Sequence, residues 1–383
     1  MVPTDITDII GTLIAEATTL GARLNPSTAV SLAHLVRIMN CYYSNLIEGH
    51  KTHPRDIEKA MNNEFESNPD ARNLQIEARA HIRIQLLIDQ EYAKGPGTRE
   101  PTSVAFIKFL HKEFYHMATP EMLTISGPSG SYQMIPGEFR SAATQDNAVG
   151  RHIPPSSDRV SDLMRHFQES FDLEGKGPAA KIIAMAAAHH RLNYIHPFPD
   201  GNGRVSRLMS HAMGHEAGIG AHGLWSIARG LARGLESSRE YKLMMAHADT
   251  PRQGDLDGRG NLSLRALTEY IEWYLKICLD QVSFMGRLFD LDALEGRFRR
   301  YVQMHGSLRP EATHILDHVL LRGEMARGDA SRISGLRERA ARDLLGELVR
   351  DGILGSATPK GPVSLRFPIH AVDILFPRLF PQL

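Results

Sequence analysis

Residues 196–207 read HPFPDGNGRVSR. Within twelve positions the chain sets an imidazole, a carboxylate, a Gly-Asn-Gly turn and two arginines. His196 precedes Pro197, which disfavours helical backbone at His196, so a preceding helix ends there and leaves the imidazole in a loop. Phe198 is an apolar anchor for that loop. Asp200 supplies a hard oxygen ligand of the kind that holds Mg²⁺ alongside substrate phosphates. Gly201, Asn202 and Gly203 tolerate unusual dihedrals and close approach of a ligand. They open a helix whose free N–H groups and positive dipole end suit a phosphate. Arg204 and Arg207, three apart, share one face of that helix, while Val205, Leu208 and Met209 offer another face for burial. A Walker A loop needs Lys-Ser/Thr after the glycines, and none is present.

Outward from this stretch the pattern is helical. The chain has 383 residues, 42% hydrophobic and 23% charged, the composition of a globular protein of two or three units. Lys plus Arg and Asp plus Glu both number 44, which gives no global attraction to nucleic acid or membrane. Two isolated cysteines, Cys41 and Cys278, argue against a disulfide scaffold and fit a reducing cytoplasm. The first residues, MVPTDITDII, lack the positive charge of a signal peptide, and no run of about 18 apolar residues predicts a membrane span.

Residues 30–48 predict an amphipathic helix with Leu35, Ile38, Met39, Tyr42 and Leu46 on its buried face, stopped by Gly49. Further helices are predicted over 104–118, 158–172, 178–194 and 203–216, and within 260–300. His189 and His190, just before the opening stretch, read as packing or hydrogen-bonding residues. The Gly/Ser/Pro-rich segment SGPSGSYQMIPGEFRSAATQDNAVGRHIPPSSD carries candidate strands at 131–135 and near 147–153. Tyr132, Met134, Ile135 and Phe139 make it a β-hairpin flap rather than a solvated linker. Gly137 and Arg140 read as structural. Beyond Arg309-Pro310, helical patterns at 311–321, 325–333 and 336–350 precede two short strands, the texture of a winged helix-turn-helix. Residues 311–351 carry seven arginines against eight acids, which tempers a DNA-binding reading, although Arg332, Arg337, Arg339 and Arg342 can cluster on one helix.

The stretch His196–Arg207 resembles the Fic (Fido) family signature H-x-F-x-[DE]-G-N-G-R-x-x-R at every defined position, and the upstream PGEFR and VGRHIPP segments are similar to that family's flap region. The resemblance spans roughly residues 100–290. It implies a mainly α fold: an N-terminal helical region (1–98), a Fic core with a β-hairpin flap (99–300) and the winged-helix unit (308–383). It also implies an adenylyltransferase that moves AMP from ATP to a Ser, Thr or Tyr hydroxyl of a target protein, itself included. By position, His196 is then the general base and Asp200 the Mg²⁺ ligand. Gly201, Asn202 and Gly203 form the anion hole. Arg204 and Arg207 bind phosphates, Arg207 the γ-phosphate. Gly203 stands where the family's phosphotransferase branch has lysine. Arg239-Glu240-Tyr241 is similar to an adenine-side segment, which puts Tyr241 beside the base or, equally, in the core. Residues 44–49, SNLIEG, resemble the family's inhibitory motif [ST]-x-x-x-E-[GN]. The resemblance thus implies that Ser44, Glu48 and Gly49 form a brake in which Glu48 pairs with Arg207 and takes the γ-phosphate position. Two alternatives stay open: a DNA-binding regulator with a nucleotide-sensing core, and an enzyme that removes AMP. Exposed helical faces leave room for a homodimer.

Overall fold

The computed structural model describes residues 4–380 apart from 51, 94, 96, 128, 129, 147 and 151. The N-terminal helices are α1 (Thr4–Ala22), α2 (Pro26–Ile47), α3 (Pro54–Met61) and α4 (Pro69–Tyr92). Next come α5 (Val104–Phe114) and the hairpin of β1 (Thr124–Gly127) and β2 (Gly130–Gln133). The central helices are α6 (Val160–Phe171), α7 (Pro178–Ile195), α8 (Asn202–Glu216), α9 (Ala228–Arg233), α10 (Glu240–Ala248), α11 (Leu264–Leu288) and α12 (Leu291–His305). The C-terminal unit holds α13 (Ala312–Arg322), α14 (Ala330–Ser334), α15 (Glu338–Asp351), β3 (Leu354–Gly355), β4 (Ser364–Leu365) and α16 (Ile369–Leu375). No described helix is long and apolar enough to cross a membrane.

Local chemistry sets the helix starts. Helices α2, α3, α4 and α7 begin with proline, whose missing N–H costs nothing there. Asn25, Asn68 and Ser103 accept first-turn N–H groups with their side chains. α2 ends as predicted, with Gly49 at φ 87°. Its burial differs from the single face expected. Leu35, Ile38 and Met39 are buried, but Leu46 is 40% exposed. Helix α2 is wrapped by α3, α4 and α9, and its last turn meets α8 through Ser44 instead.

The flap also differs from expectation. β2 pairs antiparallel with β1, Ile125 opposite Tyr132, and not with residues 147–153. That stretch contributes only a bridge between Val149 and His152, with residues 147 and 151 lying outside the described set. The shorter connection wins because closing a short loop between strands costs less entropy than closing a long one. Met134 is buried, but Ile135 points outward and is 65% exposed.

In the C-terminal unit the three helical patterns appear as α13, α14 with a preceding 3₁₀ turn, and α15, followed by the β3–β4 hairpin. Met325 and Val363 add a further bridge. Helix α16 was not anticipated; only seven residues long, it is held by Ile369, Ala371, Val372 and Leu375 packing inward, its neighbours including α12. Arg332, Arg337, Arg339 and Arg342 are all exposed. This unit sits directly on α2: the Tyr43 hydroxyl donates to the Leu379 carbonyl, and the Thr28 hydroxyl to that of Leu320. One continuous hydrophobic core runs from Ile6 to Phe380.

A polar seam crosses the α2–α4–α8 packing. Asp89 of α4 receives Arg37 of α2 at 2.6 Å and lies 2.7 and 3.1 Å from His211 and His215 of α8. Arg207 and Arg204 lie farther along the same helix, toward its N-terminus.

Candidate active site

Helix α7 stops at His196, which takes a left-handed conformation (φ 50°, ψ 60°) while its N–H still bonds Leu192. Pro197 forbids continuation. The expected departure from helical backbone occurs, by a left-handed cap rather than an extended residue. Buried Arg140 then satisfies the exiting carbonyls: its Nε donates to the His196 oxygen at 2.7 Å and its Nη2 to that of Ile195 at 3.0 Å, with Pro155 sharing Nη2. Asp146 takes Nη1 at 2.5 Å.

Phe198 is fully buried and stacks on His111, centroids 3.9 Å apart. His111 Nδ1 accepts the Gly137 N–H at 2.8 Å, so Nε2 carries the proton toward the Asp200 carbonyl at 3.2 Å. Burial lowers the His111 pKa to about 4, which keeps that tautomer neutral. Asn202 brackets the loop from the other side, donating to the Phe198 carbonyl (2.7 Å) and accepting its N–H (2.9 Å). Its side chain therefore shapes the loop. Gly201 has φ 79°, and a Cβ there would lie 2.9 Å from the Tyr115 ring. α8 starts at Asn202 with no side-chain cap, so its first N–H groups stay open for an anion.

His196, Asp200 and the Gly-Asn-Gly turn line one cleft of about 260 Å³ together with Glu48, Arg140, Gln145 and Val149. Burial, with Arg140 and His152 nearby, lowers the His196 pKa to about 4, so its imidazole is neutral near pH 7. Burial opposes ionisation of Asp200, but Arg204, the Tyr115 hydroxyl and the Gly201 N–H outweigh it and hold the carboxyl below its usual value.

The two arginines diverge. Arg204 turns away from the cleft: Nη1 pairs with Glu77 at 2.7 Å, and Nη2 donates to the Tyr115 hydroxyl (2.8 Å) and to Asp200 Oδ2 (3.0 Å). The face shared in sequence does not mean a shared direction, because a guanidinium three bonds from the backbone follows its counter-charges. Arg207 is 2% exposed, donates from Nε to the Ser44 hydroxyl at 2.9 Å, and pairs with Glu48 Oε1 at 2.6 Å. Burial opposes the Glu48 charge, yet Arg207 and Arg204 keep its pKa below the ordinary value. Glu48 lies against the turn: a Cβ on Gly203 would meet its Oε1 at 2.4 Å. Gly49 ends the helix just beyond.

Tyr241, read equally as lying beside a base or in the core, is a buried residue. It stacks on Trp273 and shares a 2.9 Å hydrogen bond with His189, and burial pushes its pKa up to about 12. The apolar helix faces around it bury the ring. His189 and His190 are packing residues as read, bonded to Ser210 and Met245. Sequence reasoning missed Glu77, His111 and Tyr115. The i,i+4 pair His111 and Tyr115 on the apolar face of α5 was a readable signal. Glu77 left none.

Residues 101–213 match the sequence model of the Fic/DOC family. A protein adenylyltransferase Fic of Aedes aegypti is 39% identical over 82 residues, 21% of this chain and 16% of that relative's length. The Drosophila melanogaster protein of the same name matches equally, 39% over 82 residues. A Fic family protein from Desulfovibrio desulfuricans shares the fold across 96% of this chain and 98% of its own, with TM-score 0.54 and 16% identity. A Fic domain containing signaling protein from Bacteroides thetaiotaomicron covers 73% of this chain and 97% of its own, with TM-score 0.52 and 18% identity. The helical bundle, its flap and the loop and helix start from His196 to Arg207 thus resemble a Fic/DOC-family domain over residues 101–213.

Proposed function

We propose that this protein transfers AMP from ATP to a hydroxyl of a target protein and that Glu48 restrains the transfer. The observation that carries the reading is the meeting, in one cleft, of a neutral imidazole, the open N-terminus of α8 and the carboxylate of Asp200. His196 takes the proton of the incoming Ser, Thr or Tyr hydroxyl as its oxygen bonds to the α-phosphorus. The bond from the α-phosphorus to the bridging oxygen breaks, and pyrophosphate leaves. The N–H groups of Gly203 and Arg204, at the positive end of α8, receive charge developing on the phosphates. One half-exposed carboxylate beside bound phosphates suits Mg²⁺, so Asp200 would hold the ion and Mg²⁺ would add charge neutralisation. Arg204 positions Asp200 rather than contacting ATP. Arg207 receives the γ-phosphate only when Glu48 leaves it.

The test is incorporation of label from ATP marked at the α-phosphate, with Glu48→Gly to lift the restraint. Label should appear on protein, be lost in His196→Ala, and be absent when the γ-phosphate carries the mark. Labelling that persists in His196→Ala, or that comes from the γ-phosphate, overturns the assignment.

A further inference from the structure

On the far side of α2 a second polar cleft, about 180 Å³, is lined by Arg229, Arg233, Asp280, Gln281, Phe284 and Arg378. Arg229 lies at its base, 4% exposed, its guanidinium 3.7 Å above the Phe284 ring. Its hydrogen bonds go to neutral oxygens, Gln281 Oε1 and the Arg378 carbonyl, both at 3.2 Å. Its Nε has no partner among the described residues, and no carboxylate there lies within ion-pair distance. A buried cation without a counter-charge is costly.

Two neighbours deepen the imbalance. Arg233 follows Arg229 by one turn on α9, a like-charge i,i+4 pair that disfavours the helix by itself. Arg378 holds a left-handed backbone (φ 68°), which strains a residue with a side chain. The acid lining this cleft, Asp280, already accepts the Gln281 amide at 2.7 Å. Three guanidiniums thus face one engaged carboxylate across an open cleft.

We propose that this cleft binds a phosphate-class oxyanion, with Arg229 as the buried anchor and Arg233 and Arg378 closing on it from the rim. A planar guanidinium whose Nη donors are held only by neutral oxygens at 3.2 Å can turn N–H groups to phosphate oxygens, and the charge surplus favours a multiply charged group over a single carboxylate. The site is separate from the catalytic cleft: α2 stands between them, turning Ser44 toward Arg207 and the adjacent Tyr43 toward the C-terminal segment.

Calorimetric titration at low salt with pyrophosphate and with ATP tests this. The proteins are the wild type, the rim variant Arg233→Gln/Arg378→Gly and the anchor variant Arg229→Gln. Both rim residues are exposed, so the rim variant is expected to keep its fold. Beyond any ligand held in the catalytic cleft, wild type should bind one equivalent that weakens at least about tenfold in the rim variant. Loss of that equivalent for pyrophosphate alone identifies a free polyphosphate; loss of an additional equivalent for ATP identifies a nucleotide tail. Pyrophosphate should also raise the Tm of wild type and leave that of Arg229→Gln unmoved. Unchanged pyrophosphate and ATP isotherms in the rim variant, or an equal loss in a control lacking the exposed Arg265, overturn the site.

Discussion

Arg204 and Arg207 stand one turn apart on the same buried helix and are surrounded differently. Arg204 is closed off by Glu77, Asp200 and Tyr115, with 3% of its side chain exposed. Arg207 is as deeply buried, but its charge partner is Glu48, whose side chain is 31% exposed at the rim of the cleft. The first arrangement is the more fixed, since Glu77 and Tyr115 hold Arg204 from inside the packing while only Asp200 faces the cleft. In the second, one carboxylate at a helix end can swing away while Arg207 remains held by Ser44. The difference separates a residue that builds the site from one that a ligand can claim.

The largest expected effect tests the scaffolding side. Arg204→Met should cost about 3–5 kcal/mol of stability, because buried Glu77 would lose its arginine partner, while half-exposed Asp200 keeps the Tyr115 hydroxyl. Urea unfolding measures it; a loss under about 1 kcal/mol would show that Arg204 is not the hub of these contacts. Arg207→Met should destabilise less, since Glu48 can turn to water. Combined with Glu48→Gly, it should still be inactive in AMP transfer.

Next in size is the releasable side. A charge-assisted contact of this kind contributes about 1.5–3 kcal/mol, so Glu48→Gly should raise auto-labelling about ten- to hundredfold at saturating ATP. The control for mere loosening of α2 is Met39→Ala, because Met39 is fully buried whereas Leu46 is exposed. Equal activation by Met39→Ala would remove the special role of Glu48. Ser44→Ala sharpens the comparison further. It removes the acceptor of Arg207 Nε without vacating the position that Glu48 fills. Stability should fall by about 1–2 kcal/mol with little activation. Activation equal to that of Glu48→Gly would mean that Ser44, not Glu48, holds the restraint.

What could be read in the sequence follows the same division. His196–Arg207 is a local unit, its turn, helix start and His-Pro break all set by neighbours in the chain, and the structure assembles it in one loop. The SNLIEG segment was legible because a short pattern names the two residues, Ser44 and Glu48, that meet Arg207 across 163 and 159 positions. The direction of Arg204 was not legible, since Glu77 and Tyr115 arrive from other helices and carry no motif. Tyr241 stayed open between two places for a related reason: an amphipathic helix shows that a ring is buried, not against what. The hairpin register was missed because TISG looks like turn sequence until it pairs with GSYQ.

Acid should act on the two sides of this comparison in different ways, and the effect is the smallest expected near neutrality. His196 has a pKa of about 4 in the fold, so its imidazole is already the free base at pH 7. Transfer by Glu48→Gly should therefore be flat from pH 8 to about 5.5 and decline only toward pH 4. The Glu48 carboxyl is depressed, so the Arg207 pair contributes fully above its ordinary value of 4.5 and weakens only as pH falls below it. Mild acid thus leaves the restraint in place, and wild type should not activate between pH 7 and 5. Stability moves earlier. His81 and His189 are fully buried, and burial lowers each pKa to about 3. Their unfolded forms take up protons first, as pH drops through about 6.5, so folding loses up to about 1.4 kcal/mol per pH unit for each. The Tm should fall below pH 6.5 while the specific activity of the folded fraction holds. A wild type that activates near pH 6 would show that the charge of Glu48 is not held down by Arg207, and the contrast between the two arginines would fail at its releasable side.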